Sequence, residues 1–504
     1  MLKFIFIPLL LFTTVCTASN IIDVQDYGAE VNDDVDDYYA IQRAIAALDQ
    51  TKSGILVFHK GTYDIKHHKI DNNRAIQRTV SLISKSKSKK LSKIVYLNEI
   101  DEKIKYKSNN IIKNFTFNNY TSLSIEGNGA IFNFDGDWTR TADYTISSNN
   151  HTYSRHNAIG IEIINSKNVL IQNLELNGNA DETVKEATVE GFSNGIMIGG
   201  SSLVTINNVY IHHYHADGLY IYARKDSSGI KRKSEHIKVS NSRFKNNARQ
   251  GCSIVGAKYV DFYHCAFSNT GDTGMYGSHH PMAGVDIEPH YDVNNNGYIT
   301  FTKCNFVDNI GFAYVGSNTI TTPYPIEFKY CTFSNSKNTI WHQAVVPNTH
   351  KTNFSYCFFN EISLWPNYAA KDKKGYVNVN VSSCKFKSRK IEQKVLLAAG
   401  KGNLKWYIEK TSFQLNSRYD NSFHTKSRFY LRDNRQVVFQ SNTIEMSKEE
   451  YRTYRENPTR KFILNGVSTY NTRWIKKPEV IPSYPSKYRS IYGDNGICIL
   501  YEIK

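Results

Sequence analysis

The 504-residue sequence has only five Met, and no long stretch is dominated by Ala, Glu, Lys, Leu and Arg, which excludes a coiled coil. After residue 18 no run of 18 apolar residues occurs, so no helical membrane span is expected. Paired Cys-x-x-Cys spacing is absent, which argues against a zinc site, and so is the EF-hand spacing. No signature of a nucleic-acid-binding module is found, so no nucleic-acid partner is expected. What is present is 40% hydrophobic and 21% charged residues, enough for a sizeable core and too little charge for global disorder. Tyr (34), Phe (26), Gly (29) and abundant Asn suit strands and turns better than helices.

Residues 1–18 read as a secretory signal, with Lys3, an apolar run from Phe4 to Phe12 and a small-residue exit at Cys16-Thr17-Ala18. The mature chain is therefore expected to be secreted, extracellular or periplasmic. Lys+Arg less Asp+Glu is 62 − 46 = +16, and loss of Lys3 leaves +15. An exported basic chain suits an acidic partner, above all an acidic polysaccharide. The Ser-interleaved run Lys85, Lys87, Lys89, Lys90, Lys93 reads as a basic arm within an insertion spanning 65–110.

Internal repetition decides the architecture. A polar-Cys-x-Phe element recurs at His264-Cys265-Ala266-Phe267, Lys303-Cys304-Asn305-Phe306, Tyr330-Cys331-Thr332-Phe333, Tyr356-Cys357-Phe358-Phe359 and Ser383-Cys384-Lys385-Phe386. The same slot without Cys holds Phe244, Phe413 and Ile444, and upstream Leu176 and Ile211. From residue 176 the intervals are 35, 33, 23, 39, 27, 26, 27, 27 and 31 residues. A period near 26 fits one coil of a parallel β-helix, three short strands joined by three turns. Alternation within each strand sends one residue inward and the next outward, and stacking places like above like. Five of the eight Cys then form one column of buried thiols rather than disulfides.

The N-terminal region reads strand, turn, helix, strand. Ile22–Gly28 is a strand and turn, Asp36 or Asp37 an N-cap for the helix through Ala40-Ile41-Gln42-Arg43-Ala44-Ile45, and Gly54–Phe58 a buried strand running on to Gly61-Thr62-Tyr63. Asp26-Tyr27-Gly28-Ala29, the Asp pair, Ala40–Ile45 and Gly61-Thr62-Tyr63 together resemble the opening of the pectate-lyase-like superfamily of right-handed parallel β-helices. The Gly-Asp-Gly turn and the Pro before Gly61 are missing; His59-Lys60 stand there. The resemblance implies an all-β solenoid with an N-terminal cap over 19–64, repeats over 111–445, and a helix plus wrap-back segment over 446–504. It implies nothing definite about chemistry, because the superfamily holds lyases, hydrolases, epimerases and tailspikes.

Three long intervals imply loops near 179–191, 224–235 and 270–283, a wall beside one stretch of the solenoid. The strands after them are Gly195–Ile198, Gly218–Tyr222, Gly251–Val255 and Gly284–His290. Leu219/Ile221, Cys252/Ile254 and Val285/Ile287 are expected inward. Tyr220, Tyr222, Ser253, Asp286, Glu288 and His290 are expected outward, on an exposed face. His215 and Asp217 precede these strands; Arg249 and Gln250 lie one coil on; Tyr314, Trp341 and His342 follow. Catalytic candidates are Asp286, Glu288, Arg249, His290, His215 and Asp217. Substrate-binding candidates are Tyr220, Tyr222, Gln250, Tyr314, Trp341 and His342, since aromatic rings bind sugars and amides bind hydroxyls.

By resemblance, Asp286 and Glu288 are possible calcium ligands that hold a uronate, with Arg249 as base or uronate clamp. His215, His290 or Tyr220 are alternative proton-transfer groups. Glu288-Pro289-His290 is similar to the Asp-Pro-His element of alginate C5-epimerases. Basic charge favours an anionic substrate, and hence a lyase working by β-elimination. An inverting hydrolase is the alternative, because Asp286 and Glu288 have Cα atoms ~6.7 Å apart along a strand. A non-catalytic polysaccharide-binding β-helix and a C5-epimerase remain further alternatives.

Overall fold

A computed structural model describes residues 20–66, 112–134, 158–180, 193–271, 281–288 and 296–318 continuously, with further strands up to residue 503. The repeat places three strand positions in each coil. Two share a sheet of 24 strands; the third builds a separate 12-stranded sheet in which each strand pairs in parallel with that of the next coil. Val169–Gln172 and Leu174–Asn177 belong to the first sheet and Asn194–Gly199 to the second. Between the first two, Asn173 adopts φ 56°. This left-handed conformation, which Asn tolerates, bends the chain through a corner.

Inward positions stack as the alternation predicts. Phe244, Phe267, Phe306, Phe333, Phe359, Phe386 and Phe413 form one column with ring centroids 5.2, 5.2, 4.7, 5.0, 4.2 and 4.9 Å apart. All seven are fully buried, each contributing roughly 1.5–3 kcal/mol of apolar transfer. Beside them Cys265, Cys304, Cys331, Cys357 and Cys384 are buried free thiols. Each Sγ donates to the carbonyl two residues back at 3.3–3.5 Å. In neighbouring coils Ser242 and Thr411 make the same bond with a hydroxyl. The slot therefore selects a small side chain able to satisfy that carbonyl.

The cap helix spans Tyr38–Asp49 and buries Ala40, Ile41, Ala44, Ile45 and Leu48 against the first coil. Asp37 occupies the N-cap position but makes no capping bond. Its carboxylate accepts instead from the backbone N–H of Glu30 (3.0 Å) and of Asp64 (2.9 Å), while Asp36 accepts from Tyr38. Burial pushes the Asp37 carboxyl up from 3.8 to about 7, against the pull of both N–H donors. The folded state thus binds a proton that the unfolded chain releases near pH 4, so this group's contribution to stability is lost as pH rises towards 7. Thermal unfolding midpoints are expected to fall between about pH 4 and 7, with a shallower slope in Asp37→Asn.

The expected boundary at 445 moves. Parallel pairing continues through Phe462–Leu464, Val467–Tyr470 and Arg473–Lys477, so the solenoid extends at least to 477. Lys487–Tyr492 and Cys498–Ile503 then form an antiparallel pair. The helix expected just after 446 and the basic stretch from Lys85 to Lys90 lie outside the described residues.

Candidate active site

The 12-stranded sheet carries the candidate residues. Its inward columns are Leu219, Cys252, Val285, Tyr314 and Ile221, Ile254, Ile287. Its outward column is Glu162, Met197, Tyr220, Ser253, Asp286, Val315. Two expectations are corrected here. The outward face is not exposed at this stretch: Met197, Tyr220, Ser253 and Asp286 are all buried, and Tyr220 packs with Ile159, Met197 and Val255 in a second apolar cluster outside the main core. Tyr314 is no substrate contact; the register puts it on the inward column, where it is fully buried in the core against Phe328.

A glycine ladder brings the remaining residues together. Gly160, Gly195, Gly218, Gly251 and Gly284 stack near the start of consecutive strands of this sheet. A Cβ on Gly218 would meet the Gly251 carbonyl at 2.8 Å, and one on Gly251 the Gly284 carbonyl at 2.5 Å. No side chain fits there without displacing its neighbours. Asp217 and Gln250 share the alternation phase of inward Leu219 and Cys252, yet the Gln250 side chain reaches Asp286 of the outward column.

There Arg249 grips Asp217 with a two-pronged fork, Nε to Oδ1 at 2.8 Å and Nη2 to Oδ2 at 2.6 Å. The Asp217 side chain is fully buried and that of Arg249 is 10% exposed. The Asp217 N–H donates to Asn194 Oδ1 at 3.0 Å. Gln250 Nε2 donates to Asp286 Oδ2 at 3.0 Å. Asp286 Oδ1 and Gln250 Oε1 are buried and have no hydrogen-bond partner among the described residues. Burial first, then the charge of Glu288, hold the Asp286 carboxyl well above the usual carboxylate range; Arg249 pulls it down, Asp217 raises it by less than Arg249 lowers it, and the Gln250 amide pulls it down least. Burial thus favours the neutral form of Asp286, while Glu288, two residues on, is exposed.

The other candidates scatter. Tyr222 donates to Glu162 Oε1 at 2.8 Å and receives Arg224 Nη1 at 2.9 Å, so its hydroxyl is engaged in a network of its own. His215 is buried in the turn before Asp217. Trp341 takes the register position of Val315, on the outward column, and His342 that of Gly316. His290 lies outside the described residues. Of the three expected loops, 224–235 is a short hairpin, Arg224–Lys225 with Lys231–Arg232, which places Arg224 against Glu162. Glu162 and Arg224 are members of this face that the sequence reading misses; the alternation Ile161-Glu162-Ile163 is the signal that could have found the first of them.

Calcium takes six to eight oxygen ligands and prefers charged ones. Here Asp286 is buried with one oxygen taken by the Gln250 amide, and Glu288 is exposed, so the two supply only part of such a shell. Among the described residues no group of three or more His, Cys, Asp or Glu is arranged to hold a metal ion.

The coil architecture and the parallel register give this chain a parallel β-helix fold, and a family model described as a right handed beta helix region matches residues 174–343, about a third of the chain. A search of curated protein sequences gave no match. Among solved structures, the Agl-KA catalytic domain is similar at 13% identity, covering 84% of this chain and 68% of that one, with a TM-score of 0.48. PfbA, a surface adhesin of Streptococcus pneumoniae, has 13% identity, coverage of 96% and 98%, and a TM-score of 0.41. The mannuronan C-5 epimerase AlgE4 A-module of Azotobacter vinelandii has 12% identity, coverage of 90% and 95%, and a TM-score of 0.42.

Proposed function

We propose that this chain is an exported enzyme that cleaves an acidic polysaccharide by acid–base chemistry at Asp286 and Glu288. The observation that supports it is the contrast between the two carboxyls. Asp286 is buried, its carboxyl pushed well above the usual range, and it has one oxygen without a hydrogen-bond partner among the described residues; Glu288 beside it is exposed. Two neighbouring carboxyls, one buried and one exposed, can divide into acid and base. Asp286 donates to the leaving glycosidic oxygen, and Glu288 activates water. Their ~6.7 Å Cα separation along the strand is compatible with an inverting hydrolase, whose carboxyls stand ~6.5–9.5 Å apart. Arg249, one coil before Asp286, and Asp217, two coils before it, act on the acid through their charges.

β-Elimination is the second reading, favoured by the net charge of +16, which suits a uronate. It needs a cation at the uronate carboxylate, and the Arg249 fork is already filled by Asp217. The chain, incubated with a panel of acidic polysaccharides, is expected to release reducing ends without new ultraviolet absorbance, equally with and without chelator. Absorbance from an unsaturated uronate would replace hydrolysis by elimination, and its loss with chelator would restore calcium. Retention on the polysaccharide with no product would make the chain a binder, and changed uronate composition without new ends an epimerase.

A further inference from the structure

The corner between the two strands of the 24-stranded sheet carries a column of left-handed residues: Asn128, Asn173, Asn208, Asn241, His264, Lys303, Tyr330 and Tyr356, with φ between 52° and 57°. Asn suits this conformation, but for a bulky side chain it is strained. Where the column is Asn, the edge is a groove of about 470 Å³ floored by Glu175, Tyr210 and Arg243. The Arg243 guanidinium lies over the Tyr210 ring at 4.3 Å. Where the column turns to larger residues, the edge becomes a ridge. Tyr263, Tyr330 and Tyr356 are exposed there at 47%, 55% and 57%, and Tyr330 stacks on Tyr356 at 4.9 Å.

The arrangement is linear. The groove crosses four coils, about 14 Å at ~4.8 Å per coil, and the ridge continues along the same edge. Amides, a carboxylate and a guanidinium match the hydroxyls of a sugar chain, and exposed tyrosines offer amphipathic ring surface to it. Strained, exposed aromatics where Asn is the easy choice have no advantage for the backbone, and strain of this kind collects at functional positions. We propose that this edge is a second carbohydrate-binding track, apart from the Asp286 site, holding a polysaccharide chain parallel to the solenoid axis. It rests on the reading of the chain as polysaccharide-active.

The test is affinity electrophoresis of the full chain in gels containing each acidic polysaccharide of the panel, beside turnover of a short soluble oligosaccharide. The double variant Tyr330→Asn/Tyr356→Asn replaces both rings with the residue the backbone prefers. Its binding to polymer is expected to weaken roughly tenfold, with oligosaccharide turnover unchanged and the unfolding midpoint kept or raised. Arg243→Ala is expected to weaken polymer binding in the same direction. Unchanged binding in the double variant, or no retention of the wild-type chain by any polysaccharide, overturns the track. Retention without any turnover leaves the track standing and removes the hydrolase reading instead, so the two proposals fail separately.

Discussion

Asp286→Asn is expected to lower turnover of the cleaved polysaccharide by roughly 10³-fold, the loss typical when a general acid is removed. Substrate binding is expected to stay, because the amide matches the neutral carboxyl in shape and still meets the Gln250 side chain. Stability supplies the internal control. The carboxyl is raised in the folded state, so its contribution is fully present below the pKa of the unfolded chain and is lost as pH rises through the folded value. Asn carries no such penalty. At pH 7–8 the variant is expected to be at least as stable as the wild type, and at pH 4 the two converge. Rates and unfolding midpoints from one preparation check both halves. Activity kept in the variant would remove Asp286 from the chemistry. A large loss of midpoint would make it a structural residue. Glu288→Gln is expected to abolish turnover without the gain in stability at high pH, since that side chain is exposed.

Much of this site is legible in the sequence alone, and the reason is the repeat. A period near 26 fixes which strands stack, and alternation fixes which residues share a column, so Tyr220, Ser253 and Asp286 fall on one outward line. The same rule carried one coil further puts Tyr314 inward, above Val285; only its chemistry as an aromatic suggests a sugar contact. Two properties lie beyond the pattern. Outward does not mean exposed, and the burial of Asp286 depends on what covers the sheet. Nor does the pattern show that Arg249, which precedes its strand, closes on Asp217 of the coil before. The thiol column is legible for a different reason, because five Cys at one slot of one coil period leave them no geometry but a stack.

Arg249→Met is expected to destabilise the protein by about 3–5 kcal/mol, the penalty for leaving one member of a buried ion pair alone. Asp217 is fully buried and both of its oxygens are held by the guanidinium, so without Arg249 a charge remains in the interior. Asp217→Leu alone is expected to cost a similar amount, since it strands the cation. The double variant Arg249→Met/Asp217→Leu removes both charges and is expected to recover most of the loss, giving a coupling of several kcal/mol by urea unfolding of the four proteins. The cycle also decides what Arg249 does. A guanidinium free to act as base or to clamp a uronate would, when replaced, lower activity and leave stability alone. A guanidinium that supports the site through Asp217 gives the opposite: loss of stability in the single variant, rescue in the double. Its nearby positive charge also lowers the Asp286 carboxyl, so in the double variant two opposed influences on Asp286 go together, that of Arg249 and the raising effect of Asp217. The alkaline limb of the pH–rate profile, where the acid loses its proton, is therefore expected to move less in the double variant than in Asp217→Leu, which keeps the cation and draws the limb to lower pH.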